Sequence, residues 1–231
     1  MPTTETIALR RLINGFQVSQ AIHVAARLGI ADLLHDRPLT ANELAARTRS
    51  NESALYRLLR ALSAIGLFHE DDEQRFSLTS VGEGLRRDVV HSQAAWANFT
   101  AGPSLWKSWG NLLHSVKSGE NAFLHAHGRN VWDHRAVHHE DGAIFDLAMR
   151  ENSVLAAKAI LAACDLGRFR WIVDIGGGDG ALLAEIARAH PGLRGTLLDQ
   201  PHVIAQASEV FRFAGVTDRG CDIADDSTAG A

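Results

Sequence analysis

The sequence has few cysteines, no long apolar run and no excess of basic charge. Its two cysteines, Cys164 and Cys221, lack CxxC spacing and are too few for a disulfide framework, which favours a reducing, cytoplasmic setting. No stretch approaches the roughly 18 consecutive apolar residues that a membrane span requires. The first residues also lack the basic start and apolar core of a signal peptide. The formal net charge of −4 predicts no strong attraction to nucleic acids or acidic membranes.

The first 90 residues have the pattern of a winged helix. Apolar residues recur at helical spacing and are interrupted at Gly29, which predicts two helices meeting near that glycine. Thr40 and Glu43 have the spacing of a capping box, so a short helix is expected to begin there and to run through Arg47. A second helix is expected from a cap at Ser50 or Asn51 to a stop at Gly66, followed by a hairpin with an acidic tip at 71–74.

Beyond this region the pattern changes twice. Residues 91–166 show helical periodicity with turns near glycines, which predicts a helical connector. From residue 167 onward, "RWIVDIG" and "LRGTLLD" predict strands, and "GALLAEIARAHP" and "PHVIAQASEVFRFAG" predict helices, with a possible third strand before a polar end. Such alternation is typical of parallel βαβ units. The expected domains are therefore 1–90, 91–166 and 167–231.

The stretch "WIVDIGGGDGALL", residues 171–183, places a glycine cluster between a strand and a helix. Free backbone N–H groups at a helix N-terminus can cradle a nucleotide-like cofactor. Two patterns overlap here: G-x-G-x-x-A, typical of dinucleotide binding, and D-x-G-x-G-x-G, which comprises Asp174, Gly176, Gly178 and Gly180. Asp199 ends the second strand, 19 residues after Gly180, where a carboxylate can accept hydrogen bonds from ribose hydroxyls. A nucleoside cofactor is predicted.

Several motifs together resemble the S-adenosylmethionine-dependent O-methyltransferases of the plant-caffeate and bacterial-polyketide type. "VDIGGGDG", "LLDQPHV" and "AGVTDR" resemble their cofactor domain, and "AARLGIADLL", "LYRLLRALSAIGLF" and "FSLTSVGEGLR" resemble their winged-helix dimerisation domain. "SVKSGENAF", "HGRNVWD" and "FDLAMRENS" resemble their connecting helices. The resemblance implies a mostly α winged-helix dimerisation domain and helical connector, followed by an incomplete α/β Rossmann-like methyltransferase domain.

The resemblance also assigns the cofactor residues. It implies that Gly176, Gly178 and Gly180 shape the methionine and ribose pocket of S-adenosylmethionine, that Asp174 orients the turn, and that Asp199 binds the ribose. Asp226 would lie near the adenine amino group. However, Asp225 stands where the family has glycine and two polar residues follow, so a solvated acidic segment is an equal alternative.

The resemblance further implies methylation of a hydroxyl on an aromatic or polyketide-like small molecule by a homodimer. Flat or flexible apolar side chains at Trp106, Phe145 and Met149 would suit such an acceptor, although plain helix-bundle core explains any single one of them slightly better. The family's catalytic histidine and its fourth to seventh strands would lie beyond Ala231. We therefore expect a truncated chain with little or no transfer activity and with "WIVDI" as an apolar sheet edge.

Several other readings remain open from the residues alone. A DNA-binding regulator is disfavoured because residues 1–90 contain 11 basic and 11 acidic residues and the wing tip is acidic. A non-catalytic dimerisation module and a nicotinamide-dependent oxidoreductase are further alternatives. His134 and His138 have the i, i+4 spacing of metal ligands, but no cysteine or ordered carboxylate pattern accompanies them, so no metal site is predicted.

Overall fold

The computed structural model describes residues 3–204, 207–213 and 221–225. The chain divides into two compact units, Met1–Phe145 and Asp146–Ala231. Within the described ranges, no helix combines the length and apolarity needed to cross a bilayer.

The first unit begins with three helices: α1 (Thr4–Ile13), α2 (Gly15–Arg27) and α3 (Ile30–Leu33). The predicted break at Gly29 is confirmed, because this glycine has φ 65° in the left-handed region, where a side chain would be strained. A further break at Asn14 was not predicted. No apolar residue of α1 is buried, so nothing in the pattern distinguishes a continuous helix from two.

The winged helix follows as predicted. Its elements are β1 (Leu39–Thr40), α4 (Ala41–Thr48), α5 (Glu52–Ala64), β2 (Phe68–Glu70) and β3 (Arg75–Leu78), and the antiparallel strands lie in the order β1-β3-β2. The Thr40 side chain accepts the Glu43 N–H at 3.2 Å while the Glu43 carboxylate accepts the Thr40 N–H at 2.8 Å, which is the reciprocal capping box. Asn51 caps α5 by accepting the Ala54 N–H at 3.0 Å.

The core of this unit lies between the helices and the small sheet. Its large, fully buried side chains come from α3 to β3 and are Ile30, Leu39, Leu44, Leu59, Leu62, Phe68 and Phe76. Removing each of these side chains from water contributes roughly 1.5–3 kcal/mol. The buried side chains of the helices thus lie on the apolar faces that the sequence periodicity predicts.

The connector is a series of short helices followed by a long one. The helices are α6 (Ala94–Thr100), α7 (Pro103–Gly110), α8 (Leu112–Ser118), α9 (Ala122–His127), α10 (Val131–Val137) and α11 (His139–Ala163). Short 3₁₀ turns at Gly82–Leu85 and Leu166–Arg168 flank this region.

The second unit contains a parallel sheet in the order β4-β5-β6, with β4 at Trp171–Ile175, β5 at Arg194–Asp199 and β6 at Cys221–Asp225. Its helices are α12 (Ala181–Ala189), α13 (Pro201–Ile204) and α14 (Ala207–Phe213). Leu183, Leu197 and Phe211 form the centre of its buried cluster. The predicted combination of a winged helix, a helical connector and a Rossmann-like methyltransferase domain is confirmed.

β4 pairs on one side only within the described sheet, as the sequence predicted. Its alternate residues Trp171, Val173 and Ile175 are 61%, 52% and 76% exposed, whereas Ile172 packs against the buried cluster. Because side chains alternate along a strand, one whole face of β4 is apolar and open.

Candidate functional site

The glycine turn connects β4 to α12 at the carboxyl end of the sheet. The Gly176 N–H donates to the Leu198 carbonyl at 2.8 Å, which fastens the turn to β5. Gly176, Gly178 and Gly180 have φ values of 71°, 64° and 83°. All three lie in the left-handed region, where residues other than glycine are strained, so the alternating pattern has a direct conformational cause.

Asp199 lies beside this turn at the end of β5. Its Oδ2 accepts the Gly178 N–H at 2.8 Å, and its Oδ1 accepts the Gln200 N–H at 2.7 Å. A carboxylate has about four lone-pair positions, so both oxygens keep capacity for a further donor. The structure thus brings Asp199 and the glycine turn together.

Asp174 lies behind the turn, on the last part of β4. Its Oδ2 is buried and has no hydrogen-bond partner within the described residues. Burial, with a smaller contribution from the negative charge of Asp199, raises the pKa of the Asp174 carboxyl above its ordinary value. Two carboxylates therefore flank the turn, one partly desolvated and one hydrogen-bonded to the backbone.

The turn has one crowded side and one open side. A Cβ on Gly177 would lie 2.5 Å from Asp174 Cγ and 2.5 Å from Leu197 Cδ1, and a Cβ on Gly180 would lie 2.8 Å from Phe211 Cζ. A Cβ on Gly176 or Gly178 would meet no atom within 4 Å. The open side is where a ligand can approach the backbone closely. The sequence pattern D-x-G-x-G-x-G allows any residue at position 177, so the need for glycine there was missed.

An ion pair that the sequence did not predict also holds the turn. The Arg150 Nε on α11 donates to Asp179 Oδ2, and Asp179 Oδ1 accepts the Ala181 N–H at 3.2 Å. The Asp179 side chain is only 12% exposed, so this pair is largely shielded from water. No local signal links the two residues, because they are 29 positions apart.

The residues predicted for the acceptor fall in both units. In the first unit, Trp106 is 37% exposed with its ring 6.2 Å from the Phe16 ring, and Phe145 packs edge-on against Phe99 at 5.4 Å. Met149 is half-buried on α11 in the second unit. Asp226 lies outside the described residues.

His134 and His138 lie together with His127 in a compact group of imidazole rings. The rings of His127 and His138 lie 4.7 Å and 4.0 Å from the His134 ring, and His134 Nε2 lies 3.3 Å from Asp141 Oδ2. In the described part of the chain, no three histidine, cysteine, aspartate or glutamate residues are arranged to hold a metal ion.

Comparison with known families agrees with this arrangement. An O-methyltransferase domain profile matches residues 109–228, and an O-methyltransferase dimerisation domain profile matches residues 10–88. The chain belongs to the O-methyltransferase family. The first match includes the glycine turn and Asp199, and the second covers most of the winged helix.

Individual relatives support the same conclusion. The chain is 37% identical over 211 residues to a phenazine O-methyltransferase, PhzM, of Lysobacter antibioticus, an alignment that covers 91% of this chain and 62% of that protein. The crystal structure of LaPhzM matches with a TM-score of 0.91 at 35% identity, covering 97% of this chain and 67% of that one. A third match is the O-methyltransferase NcsB1 from neocarzinostatin biosynthesis, solved with S-adenosylmethionine and 2-hydroxy-5-methyl naphthoic acid. Its TM-score is 0.74 at 31% identity, and the match covers 91% of this chain and 65% of that one. The chain thus spans 62% of the length of the curated phenazine O-methyltransferase, which is less than two thirds.

Proposed function

We propose that this chain binds S-adenosylmethionine and takes part in methyl transfer to a hydroxyl group of an aromatic or polyketide-like small molecule. The observation that carries the proposal is the Asp199 carboxylate, fixed at 2.8 Å from the Gly178 N–H beside an open glycine turn. When bound, S-adenosylmethionine supplies an electrophilic methyl group on a sulfonium.

The described residues suit this cofactor. Asp199 is placed to accept hydrogen bonds from the ribose hydroxyls, and the bare backbone at Gly176 and Gly178 permits close approach of the methionine part. Asp174 supports the turn from behind and keeps one oxygen without a partner within the described residues. By the family pattern, we propose that Asp226 lies near the adenine.

The acceptor class is supported by the relatives. One is named a phenazine O-methyltransferase, and another was solved with a hydroxylated naphthoic acid. Phenazines and naphthoic acids are flat aromatic systems, which aromatic side chains accommodate well. We propose that Trp106, Phe145 and Met149 contribute to holding this acceptor.

We also propose a homodimer formed by the winged-helix domain, with boundaries at 1–90, 91–166 and 167–231. On α1 and α2, Leu9, Leu12, Ile13 and Phe16 are 59%, 79%, 61% and 51% exposed. A second copy of the chain would cover this apolar surface. The dimerisation profile that matches residues 10–88 supports the same assembly.

The cofactor proposal is tested by calorimetry with S-adenosylhomocysteine on the purified chain. Asp199→Ala removes the ribose acceptor and the link to Gly178, so affinity is expected to fall by about tenfold or more. Glu185→Ala is the matched control, since Glu185 pairs with Arg188 on the solvent side of α12, and it should bind like the unmodified chain.

Undiminished binding by Asp199→Ala would contradict this assignment. Absence of binding by the unmodified chain would contradict the cofactor proposal itself and favour a non-catalytic dimerisation module. Tighter binding of a nicotinamide dinucleotide than of S-adenosylhomocysteine would favour an oxidoreductase.

A further inference from the structure

A cavity of about 160 Å³ lies in the first unit, among helices α2, α6, α7, α9, α10 and α11. Phe99, Leu105, Phe123 and Ile144 form its apolar walls. An apolar cavity of about 150 Å³ is known to accept benzene, so this space has the size of one aromatic ring.

The polar part of the lining is centred on Asp141, at the start of α11. Its Oδ2 accepts a hydrogen bond from Ser104 Oγ and lies 3.3 Å from His134 Nε2. These two partners fix the orientation of the carboxylate. The Asp141 side chain is 33% exposed, and its Oδ1 has no hydrogen-bond partner in the described part of the chain.

His134 acts in this network as a neutral donor. Its side chain is only 9% exposed, and burial lowers the pKa of its imidazole, more than the hydrogen bond with Asp141 raises it. The nearby His127 and His138 lower that pKa further. The His134 Nε2–H is therefore directed at Asp141 Oδ2.

The other charged groups of the lining are already engaged. Glu140 pairs with Arg27 at 2.7 Å, and the Arg135 guanidinium packs over the Phe145 ring at 3.5 Å from its centre. His23 Nδ1 lies 3.3 Å from the Ala97 carbonyl, and burial lowers the pKa of that histidine. The Glu140 side chain is 72% exposed, so Asp141, at 33%, is the more shielded carboxylate of this lining, and its Oδ1 keeps capacity for a ligand.

We propose that this cavity binds an aromatic ring that carries a hydroxyl group, with the hydroxyl donating to Oδ1 of Asp141. The ligand is a monocyclic phenol or the phenolic ring of a larger molecule. The assignment of this ring to the methyl acceptor rests on the proposed function. Binding of the ring to the cavity is independent of that function. Asp141 is then a specificity residue that selects a hydroxylated ring, and Ser104 and His134 are positioning residues.

The test compares phenol with fluorobenzene, which is nearly the same size but cannot donate a hydrogen bond. Binding to the full chain without cofactor is measured by ligand-observed NMR titration. Phenol is expected to bind about tenfold more tightly, because a hydrogen bond to a carboxylate is charge-assisted. Asp141→Ala should remove this preference, whereas Asp36→Ala, an aspartate with a 93% exposed side chain outside the lining, should retain it.

Two further variants make the test robust to misfolding. Asp141→Asn keeps the size of the side chain but not its charge, and the preference for phenol should fall to an intermediate value. Leu105→Trp fills the cavity and should weaken binding of both ligands. Equal binding of phenol and fluorobenzene by the unmodified chain, or a preference that survives in folded Asp141→Ala, would overturn the proposal. Because no cofactor is present, this outcome is independent of the Asp199 test.

Discussion

Gly177 has the least room of the glycines in the turn between β4 and α12. Its neighbours in that turn have positive φ and open space, whereas the position of Gly177 is set by close approach to Asp174 and Leu197. A side chain here must displace a carboxyl group and a core leucine at the same time. Close packing of this kind restricts a position to glycine as a left-handed backbone does, but it cannot be recognised from the spacing of glycines in the sequence.

Gly177→Ala is therefore expected to destabilise the second unit by about 1–3 kcal/mol, the usual cost of overpacking. It should also weaken S-adenosylhomocysteine binding, because the turn must shift. Gly192→Ala is the control, since a Cβ there meets no atom within 4 Å. Urea unfolding followed by circular dichroism measures the effect, and equal stability of the two variants would refute the steric argument.

Asp174 gives the second unit a pH dependence of defined sign. Because burial raises the pKa of this carboxyl, the folded state binds more protons than the unfolded state between the ordinary pKa of 3.8 and the raised value. The protonated Asp174 carboxyl therefore contributes fully to the free energy of unfolding below pH 3.8, and this contribution is lost as the pH rises through the raised pKa.

Asp174→Asn cannot ionise, so its stability relative to the unmodified chain should increase between pH 4 and pH 7. Urea denaturation across this range measures the difference. Asp165→Asn, at an exposed aspartate of the same unit, should show no such trend. A constant difference between Asp174→Asn and the unmodified chain would contradict the assigned burial effect.

At the scale of elements, local sequence signals set where the helices of the winged domain begin. The capping box at Thr40 and the asparagine cap at Asn51 satisfy N–H groups that the helix itself leaves open. These signals act within four residues, so they can be recognised without tertiary information. The break at Asn14 has no such signal and was missed.

Thr40→Ala should destabilise the first unit by about 1 kcal/mol through loss of the α4 cap. Thr40→Ser keeps the hydroxyl that accepts the Glu43 N–H and should retain most of the stability. Thermal unfolding of both variants gives the comparison. If the serine variant is as unstable as the alanine variant, the lost methyl group rather than the cap is responsible.

At the scale of the whole molecule, the exposed apolar surface of α1 and α2 is the proposed interface with a second copy of the chain. Leu12→Asp would place a charge in the proposed dimer interface, where an unpaired carboxylate is costly. We expect a shift from dimer to monomer in analytical ultracentrifugation, with the helical content retained. Val90→Asp changes a residue that is 76% exposed outside these helices and should remain dimeric.

The sequence by itself determined the order of elements, the winged helix, the βαβ alternation and the glycine turn. Each of these depends on periodicity, capping or backbone freedom within a few residues, and such information is local. The association of Asp199 with the turn was also predictable, because parallel strands end at the same edge of their sheet.

Only the tertiary structure decided which side chains meet across longer separations. Arg150 pairs with Asp179 across 29 positions, and Ser104 donates to Asp141 across 37. The predicted acceptor residues Trp106 and Phe145 lie outside the lining of the cavity that Asp141 shares with Phe99 and Phe123. The cause is helix packing: six elements converge on that cavity, and their relative rotation depends on the fit of buried side chains rather than on any spacing along the chain.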